Sequence, residues 1–357
     1  MGFVPGGNLC KWLANAFSEA WCDMENVASV RAVMLTRIQA FAVALASLGL
    51  TAAALAADDF PTRPVTIIVA STAGGGTDIV SRIVGEQLSK QLGQPFVVDN
   101  RPGAGSVTGT EFAARAAPDG YTLQTGLNAS MAVNPSLFAH LPYDPIADFA
   151  PVGMLAEFPF VIVVSKNFPA QSVKELIAMA KAHPGEINYA SAGNGTGQHL
   201  SMELFKLMTG INLTHVPYRG AAPAYTDVIS GQVPVFIDNL ASALGQIKGG
   251  NVRALAVTSK QRSPLLPDVP TVEEAGVSGY VYYTWFGLWA PKKTPQPIIT
   301  KLNAEVKKAI ADPAVKDRII AAAGETLDMP LADIEPFLKA EIDKWADVVK
   351  RAGIKIE

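Results

Sequence analysis

Residues 65–84 read VTIIVASTAGGGTDIVSRIV. The β-branched run at 65–70 suits a strand covered on both faces. Three glycines at 74–76 break it, and Ile79, Val80, Ile83, Val84, Leu88 and Leu92 then fall on one face of a helix. A strand, a glycine turn and a helix start, in that order, put backbone N–H groups where they can cradle an anion. Asp78 complicates this, because a fixed negative charge beside the cradle repels phosphate. Thr77 and Asp78 stand where an N-cap belongs, so simple capping and ligand contact both stay open for Asp78.

The same grammar recurs along the chain. Phe96–Asp99 reads as a strand, Ser106–Ala116 as a helix, and Tyr121–Thr125 as a strand after a Pro-Asp-Gly turn. Phe160–Val164 is a near-continuous apolar run. Ser172 and Glu175 form a capping box for a helix over Val173–Lys181. Ile187–Ala190 leads into SAGNGTGQH (191–199) and a helix at Gln198–Met208. Leu213–Val216, Val233–Ile237, Leu240–Ile247 and Val252–Thr258 continue the alternation, and an aromatic-rich strand is expected at Tyr280–Ala290. Helices are expected at Ile298–Ala311 and Pro313–Ala323, and a last one carries Ile334, Leu338, Ile342, Trp345 and Val349 on one stripe. Repeated strand–helix units imply an α/β fold with largely parallel sheets. Two glycine-rich junctions facing each other across a crevice would make a ligand cleft between two domains.

The N-terminus reads differently. Arg37, the apolar stretch Ile38–Leu50 and Ala54-Leu55-Ala56 have the form of a signal peptide at 34–56, with a mature chain from near Ala57 and export to the periplasm. A retained anchor is the weaker reading, since the stretch is alanine-rich and barely long enough to span. Residues 1–33 fit nothing upstream of a signal peptide and are expected to be a start placed too early. Both cysteines, Cys10 and Cys22, lie there, so the mature chain is expected to fold without disulfides. Of the 357 residues, 17% are charged, and the net charge is −3 with no long basic run, which argues against nucleic acid or an anionic membrane as the main partner.

Several chemistries are excluded by pattern. Ile79 stands where a dinucleotide fingerprint needs its third glycine, and no Lys-Ser/Thr pair follows the loop. There is no G-x-S-x-G elbow and no HExxH, and His140, His183, His199 and His215 lack metal-ligand spacing. No cofactor and no metal are expected. The binding candidates are the two loops and their surroundings. They comprise Ser71, Ala73, Gly74, Gly75, Gly76, Thr77 and Asp78 in the first loop, and Ser191, Gly193, Asn194, Gly195, Thr196 and His199 in the second. Tyr218 and Arg219 follow in HVPYRGAAPAYTD (215–227), and Asn128, Ser130 and Asp238 complete the set. A helix start favours a neutral His199, and an arginine such as Arg219 can clamp a carboxylate or pair with a structural acid.

AGGGTDIVSR, VVDNRPGAGSVTGTEFAARAAPDGYTL, LPYDPIADFAPVG, NYASAGNGTGQHLSMELF, HVPYRGAAPAYTDVISGQV and LPDVPTVEEAG, taken in order, resemble the periplasmic substrate-binding proteins of tripartite tricarboxylate transporters, the Bug-type receptors. The resemblance runs across nearly all of residues 60–357. It implies a two-domain periplasmic-binding-protein-like fold of type II, each domain a mainly parallel sheet flanked by helices. Domain 1 would hold 57–156 plus 285–357 and domain 2 would hold 157–284. It also implies a receptor, not an enzyme, that grips a small carboxylate between the loops at 71–78 and 191–199 and delivers it, as a monomer, to membrane permease subunits. A sensory subunit and an exported enzyme acting on a small organic acid are the alternatives. One departure stands out: where the family has an aromatic-proline pair before the glycines, this chain has Ala70-Ser71-Thr72-Ala73.

Overall fold

The computed structural model describes residues 59–354. The signal peptide, the early start and both cysteines lie outside the described residues. Among the described residues no helix is long and apolar enough to cross a membrane.

The opening stretch folds as its pattern dictates. Strand β1 (Val65–Val69) is flanked by parallel neighbours β2 (Phe96–Asn100) and β3 (Thr122–Leu127). Helix α1 (Gly76–Leu92) turns Val80, Ile83, Val84 and Leu88 inward, and α2 (Val107–Ala114) crosses between β2 and β3. Helix α2 is shorter than its sequence suggests at the N-terminal end, because Ser106 takes a left-handed conformation (φ 74°). A π-helical turn (Ala129–Val133) and the short α3 (Asn134–Leu137) lead to β4 (Phe149–Ser165), a 17-residue strand.

Beyond β4 come α4 (Val173–Ala182), β5 (Asn188–Ser191), α5 (Gly197–Thr209), β6 (Thr214–Pro217), α6 (Ala221–Ser230), β7 (Val235–Asn239), α7 (Leu240–Lys248) and β8 (Val252–Val257). Ser172 caps α4 through Glu175 N–H, while the Glu175 carboxylate reaches Gln171 N–H, one residue earlier than a standard capping box. The chain then returns through β9 (Tyr283–Pro291), α8 (Gln296–Ala311), α9 (Pro313–Ala321), β10 (Glu325–Thr326) and the long α10 (Leu331–Ala352). Ile334, Leu338, Trp345 and Val349 of the expected α10 stripe are buried, and Ile342 packs half-buried beside them. Strand β9 starts at Tyr283 rather than Tyr280; the Tyr280 ring is instead fully buried, its hydroxyl donating to Ser201 O at 2.8 Å.

The strand order is β2-β1-β3-β9-β4-β7-β5-β6, with β10 and β8 also on β4. Each half has a parallel trio, β2-β1-β3 and β6-β5-β7. The strands joining the halves pair antiparallel: β9 with β3 and β4, and β4 with β7 and β8. Strand β4 belongs to both halves. Phe149–Pro159 pairs with β9, and Phe160–Ser165 lies between β7 and β8. Its apolar run is continuous because both of its faces are covered.

Close packing of α2 on β1 depends on Gly109. A Cβ there would stand 2.7 Å from Arg101 O and 2.8 Å from Ala70 Cα, both rigid backbone atoms. Gly109→Ala is therefore expected to lower folding stability by about 1–3 kcal/mol. Urea unfolding checks this, and a change within about 0.5 kcal/mol, the range of a neutral surface substitution, would contradict the packing described.

Candidate functional site

The first loop is held from behind by Asp78. Its carboxylate is 4% exposed and accepts hydrogen bonds from Gly74 N–H (2.9 Å), Asn100 Nδ2 (2.9 Å) and Arg82 Nε (3.0 Å). Arg82 also forms an ion pair with it at 2.9 Å, and Asn100 ties in the loop by donating to Ser71 O at 3.2 Å. Burial opposes ionisation of Asp78, but the hydrogen bonds from Arg82, Gly74 and Asn100 outweigh it and hold the carboxyl below the usual range. The expectation that Thr77 or Asp78 occupies the cap position is corrected: the N-cap is Gly75, in extended conformation, and both residues lie in the first turn of α1. Gly74, at φ 86°, makes the turn that brings its N–H to Asp78. The amides of Gly76 and Thr77 open α1 and have no carbonyl four residues back to bond within the helix. Ser71 Oγ is buried without a hydrogen-bond partner.

The second loop is braced by stacked rings. His199 and His215 lie 3.9 Å apart at 9°, and Tyr189 stacks near His215 at 4.9 Å and 22°. His199 Nδ1 accepts from Gly195 N–H at 3.1 Å, so the ring is neutral at that nitrogen. Ser191 Oγ sits 2.6 Å from His215 Nε2 and accepts from Gly193 N–H at 3.1 Å, while Thr196 Oγ1 donates to Gly193 O at 2.7 Å. Glu203 below the stack accepts from Tyr189 Oη (2.5 Å) and Lys206 Nζ (2.7 Å) and lies 4.0 Å from His199 Nε2. Burial, with Lys206 adding to it, brings His199 down to about 4; burial, His199 and Lys206 bring His215 to about 4 against the pull of Glu203. The third stretch supports the second from outside. Tyr218 N–H donates to Ser191 O at 3.0 Å and its hydroxyl to Asp227 at 2.6 Å, and Arg219 is exposed.

A cavity of about 550 Å³ opens where the two halves meet at β4 and β9. The first half supplies Ser71, Gly74, Gly75, Gly76, Thr77 and Asn128, all of them anticipated. The second half supplies Gly197 and Gln198 from the start of α5, and Asn239, Ala241 and Ser242 from the start of α7. Phe158 and Phe160 of β4 line it with Tyr282 and Phe286. They form two edge-to-face pairs, Phe158–Phe286 at 5.4 Å and Phe160–Tyr282 at 4.8 Å. The rings sit against the helix starts. A Cβ on Gly76 would be 3.4 Å from the Phe286 ring, and one on Gly197 would be 2.8 Å from Tyr282 Oη and 2.9 Å from Phe160. No residue lining the cavity carries an ionisable acid or base of the Asp, Glu, His, Lys or Arg type. An anion there meets helix-start amides and neutral side chains.

The other candidates lie around this lining. Asp78, Ser191, Gly193, Gly195, Thr196, His199 and Tyr218 shape the loops. Ala73, Asn194 and Arg219 are exposed away from the lining, and Ser130 is buried beside it, its Oγ within 3.3 Å of Leu127 N. Asp238 is fully buried behind the wall, accepting from Gln198 Nε2 at 2.9 Å and from Ser242 Oγ. Burial pushes its carboxyl up, opposed by bonds from Ser242, Gln198, Asn239 and Tyr225. The lining residues that sequence reasoning missed include the four rings, Gly197, Thr72, Thr284 and the polar trio Gln198, Asn239 and Ser242. The second-loop candidates passed over Gly197 and Gln198, the first two residues of α5.

The histidine stack has a measurable consequence. Both rings titrate near 4 in the folded chain and near their ordinary 6.5 when unfolded. The unfolded state therefore binds more protons between those values, so this contribution to stability is fully present above about 6.5 and is lost as the pH falls toward 4. NMR titration of the His199 and His215 ring protons is expected to give midpoints near 4; midpoints near 6.5 would contradict the buried stack.

Comparison with known proteins agrees with this geometry. The family model described as the tripartite tricarboxylate transporter family receptor matches residues 80–354. Protein BugT of Bordetella pertussis is 40% identical over 326 residues, spanning 90% of this chain and 99% of that protein. An R. palustris protein solved with adipate aligns with a TM-score of 0.74 at 38% identity, over 83% of this chain and 100% of that one. The periplasmic binding protein BugD aligns with a TM-score of 0.70 at 36% identity, again over 83% of this chain and 100% of that one. With its motifs, its fold and its cavity between two glycine loops, the chain belongs to the tripartite tricarboxylate transporter receptor family.

Proposed function

We propose that this receptor binds a small carboxylate in the cavity at β4 and β9, closes around it, and hands it to the permease subunits of a tripartite tricarboxylate transporter. The single observation that carries the ligand class is the lining. Two long helices, α1 and α5, begin at the cavity wall, and no charged side chain stands there to compete with their amides. Adipate in the R. palustris relative is a carboxylate of this kind. The moving bodies are residues 57–156 with 285–357, and residues 157–284, turning about the strands they share. The receptor acts as a monomer and without turnover; a lining with no Asp, Glu, His, Lys or Arg supports binding over acid–base chemistry. The secretory pattern at 34–56 assigns it to the periplasm.

The test is a thermal-shift panel of dicarboxylates, tricarboxylates, acidic amino acids and aromatic acids on the exported protein. A binder at ~100 times its dissociation constant adds roughly 2.7 kcal/mol and raises the melting temperature by several degrees. Gly75 lines the cavity in an extended conformation with its nearest rigid neighbour, Thr72 O, 3.7 Å from a built Cβ, so Val fits its backbone while filling ligand space. Gly75→Val is expected to remove the shift given by the best carboxylate and leave the melting temperature of the free protein nearly unchanged. Normal binding by this variant would move the site elsewhere.

A further inference from the structure

The Tyr282 ring is clamped before any ligand arrives. Its backbone N–H donates to Thr258 O at 3.1 Å, and its carbonyl accepts from Thr258 Oγ1 at 2.6 Å. The ring meets Phe160 edge-to-face at 4.8 Å and Trp345 at 5.6 Å, and the residue is only 2% exposed. Its hydroxyl reaches the start of α5, where a Cβ on Gly197 would stand 2.8 Å from Tyr282 Oη. The amides of Gly197 and Gln198 open that helix and have no carbonyl four residues back to bond within it.

Asn128 comes to the same hydroxyl from the first half. Its Oδ1 accepts Ala129 N–H at 3.0 Å, which leaves Nδ2 to donate to Tyr282 Oη at 3.3 Å. An amide nitrogen only donates, so Oη is the acceptor in that bond. The Thr284 hydroxyl is the other side-chain partner of Tyr282. Two hydroxyls bring two protons, and a bond between them uses one. The remaining proton has no acceptor among the described residues, and both Tyr282 and Thr284 line the cavity. Burial raises the Tyr282 hydroxyl well above its ordinary range, outweighing the bonds from Asn128 and Thr284, so it stays a donor at neutral pH. A preset hydroxyl donor beside two helix-start amides suits an anionic oxygen.

Resting on the carboxylate-receptor reading, we propose that Tyr282 is a specificity-determining residue whose hydroxyl donates to the bound carboxylate, on the oxygen nearer the start of α5. Asn128 Nδ2 and the Thr284 hydroxyl both donate into Oη and turn its proton toward the cavity. The bond is made where the halves join, with Asn128 behind it from one half and Gly197 beside it from the other.

Calorimetric titration of the exported protein, stripped of bound compounds by unfolding and refolding, tests this. The probes are adipate, malate, citrate, glutamate and benzoate. Tyr282→Phe keeps the ring and removes only the oxygen; it is expected to weaken the tightest of these probes by about ten-fold or more, the worth of a hydrogen bond to a charged group. Thr284→Val leaves the tyrosine proton in place and is expected to weaken the same probe by less than about three-fold. A second measurement needs no altered fold: the Tyr282 hydroxyl proton resonance, assigned by its absence from Tyr282→Phe, is expected to move downfield when the probe binds. Tyr282→Phe binding as tightly as the natural chain, or a hydroxyl resonance that stays put, would overturn the assignment and leave the carboxylate receptor standing. A larger loss in Thr284→Val than in Tyr282→Phe would also overturn it, making Thr284 the donor. Failure of all five probes to bind the natural chain would remove the carboxylate reading and this assignment together.

Discussion

Everything in the site hangs on β4. One strand of 17 residues bonds to β9 and β10 along its first part and to β7 and β8 along its second, so neither half of the sheet can be built without it. Register shifts opposite β9 and β8 let it bend between the two pairings. The residues at the changeover, Phe158 and Phe160, are also cavity wall. A ligand pressed against those rings therefore touches the segment about which the halves would turn.

The charge arrangement follows a single rule. Each acid near a loop is used inside the fold: Asp78 through Gly74, Asn100 and Arg82, and Asp238 through Gln198 and Ser242. This resolves the apparent conflict between a glycine cradle and the aspartate that follows it. Asp78 consumes one glycine amide to fix the turn and leaves the next amides free of their own helix. In the second loop the same task falls to imidazole rings, held neutral by burial, so the two loops are rigid for different reasons.

Much of this was legible in the sequence. The AGGGTD and SAGNGTG loops announce their strand–helix junctions, and the cavity does lie between them. Asp78 and Arg82 are four apart on a helix, so their pairing follows from spacing alone. What stayed hidden depends on contacts distant in the chain. His199 meets His215 only because β5 and β6 are neighbours, and Phe158, Phe160, Tyr282 and Phe286 read as ordinary buried strand residues until β4 and β9 are paired. Asn100 and Ser71 come together across parallel strands in the same way. Tyr218 and Arg219 were plausible ligand contacts by residue type, and the structure places one against Asp227 and the other on the exposed surface.

Carboxylate binding as proposed depends on backbone amides from both halves holding one anion. The direct measurement is an amide NMR titration of the labelled protein with its tightest-binding carboxylate, following Gly76, Thr77, Gly197 and Gln198. Large downfield shifts are expected at the start of α1, with accompanying changes at the start of α5. Shifts confined to one loop, or centred on charged surface residues such as Arg219, would contradict this binding.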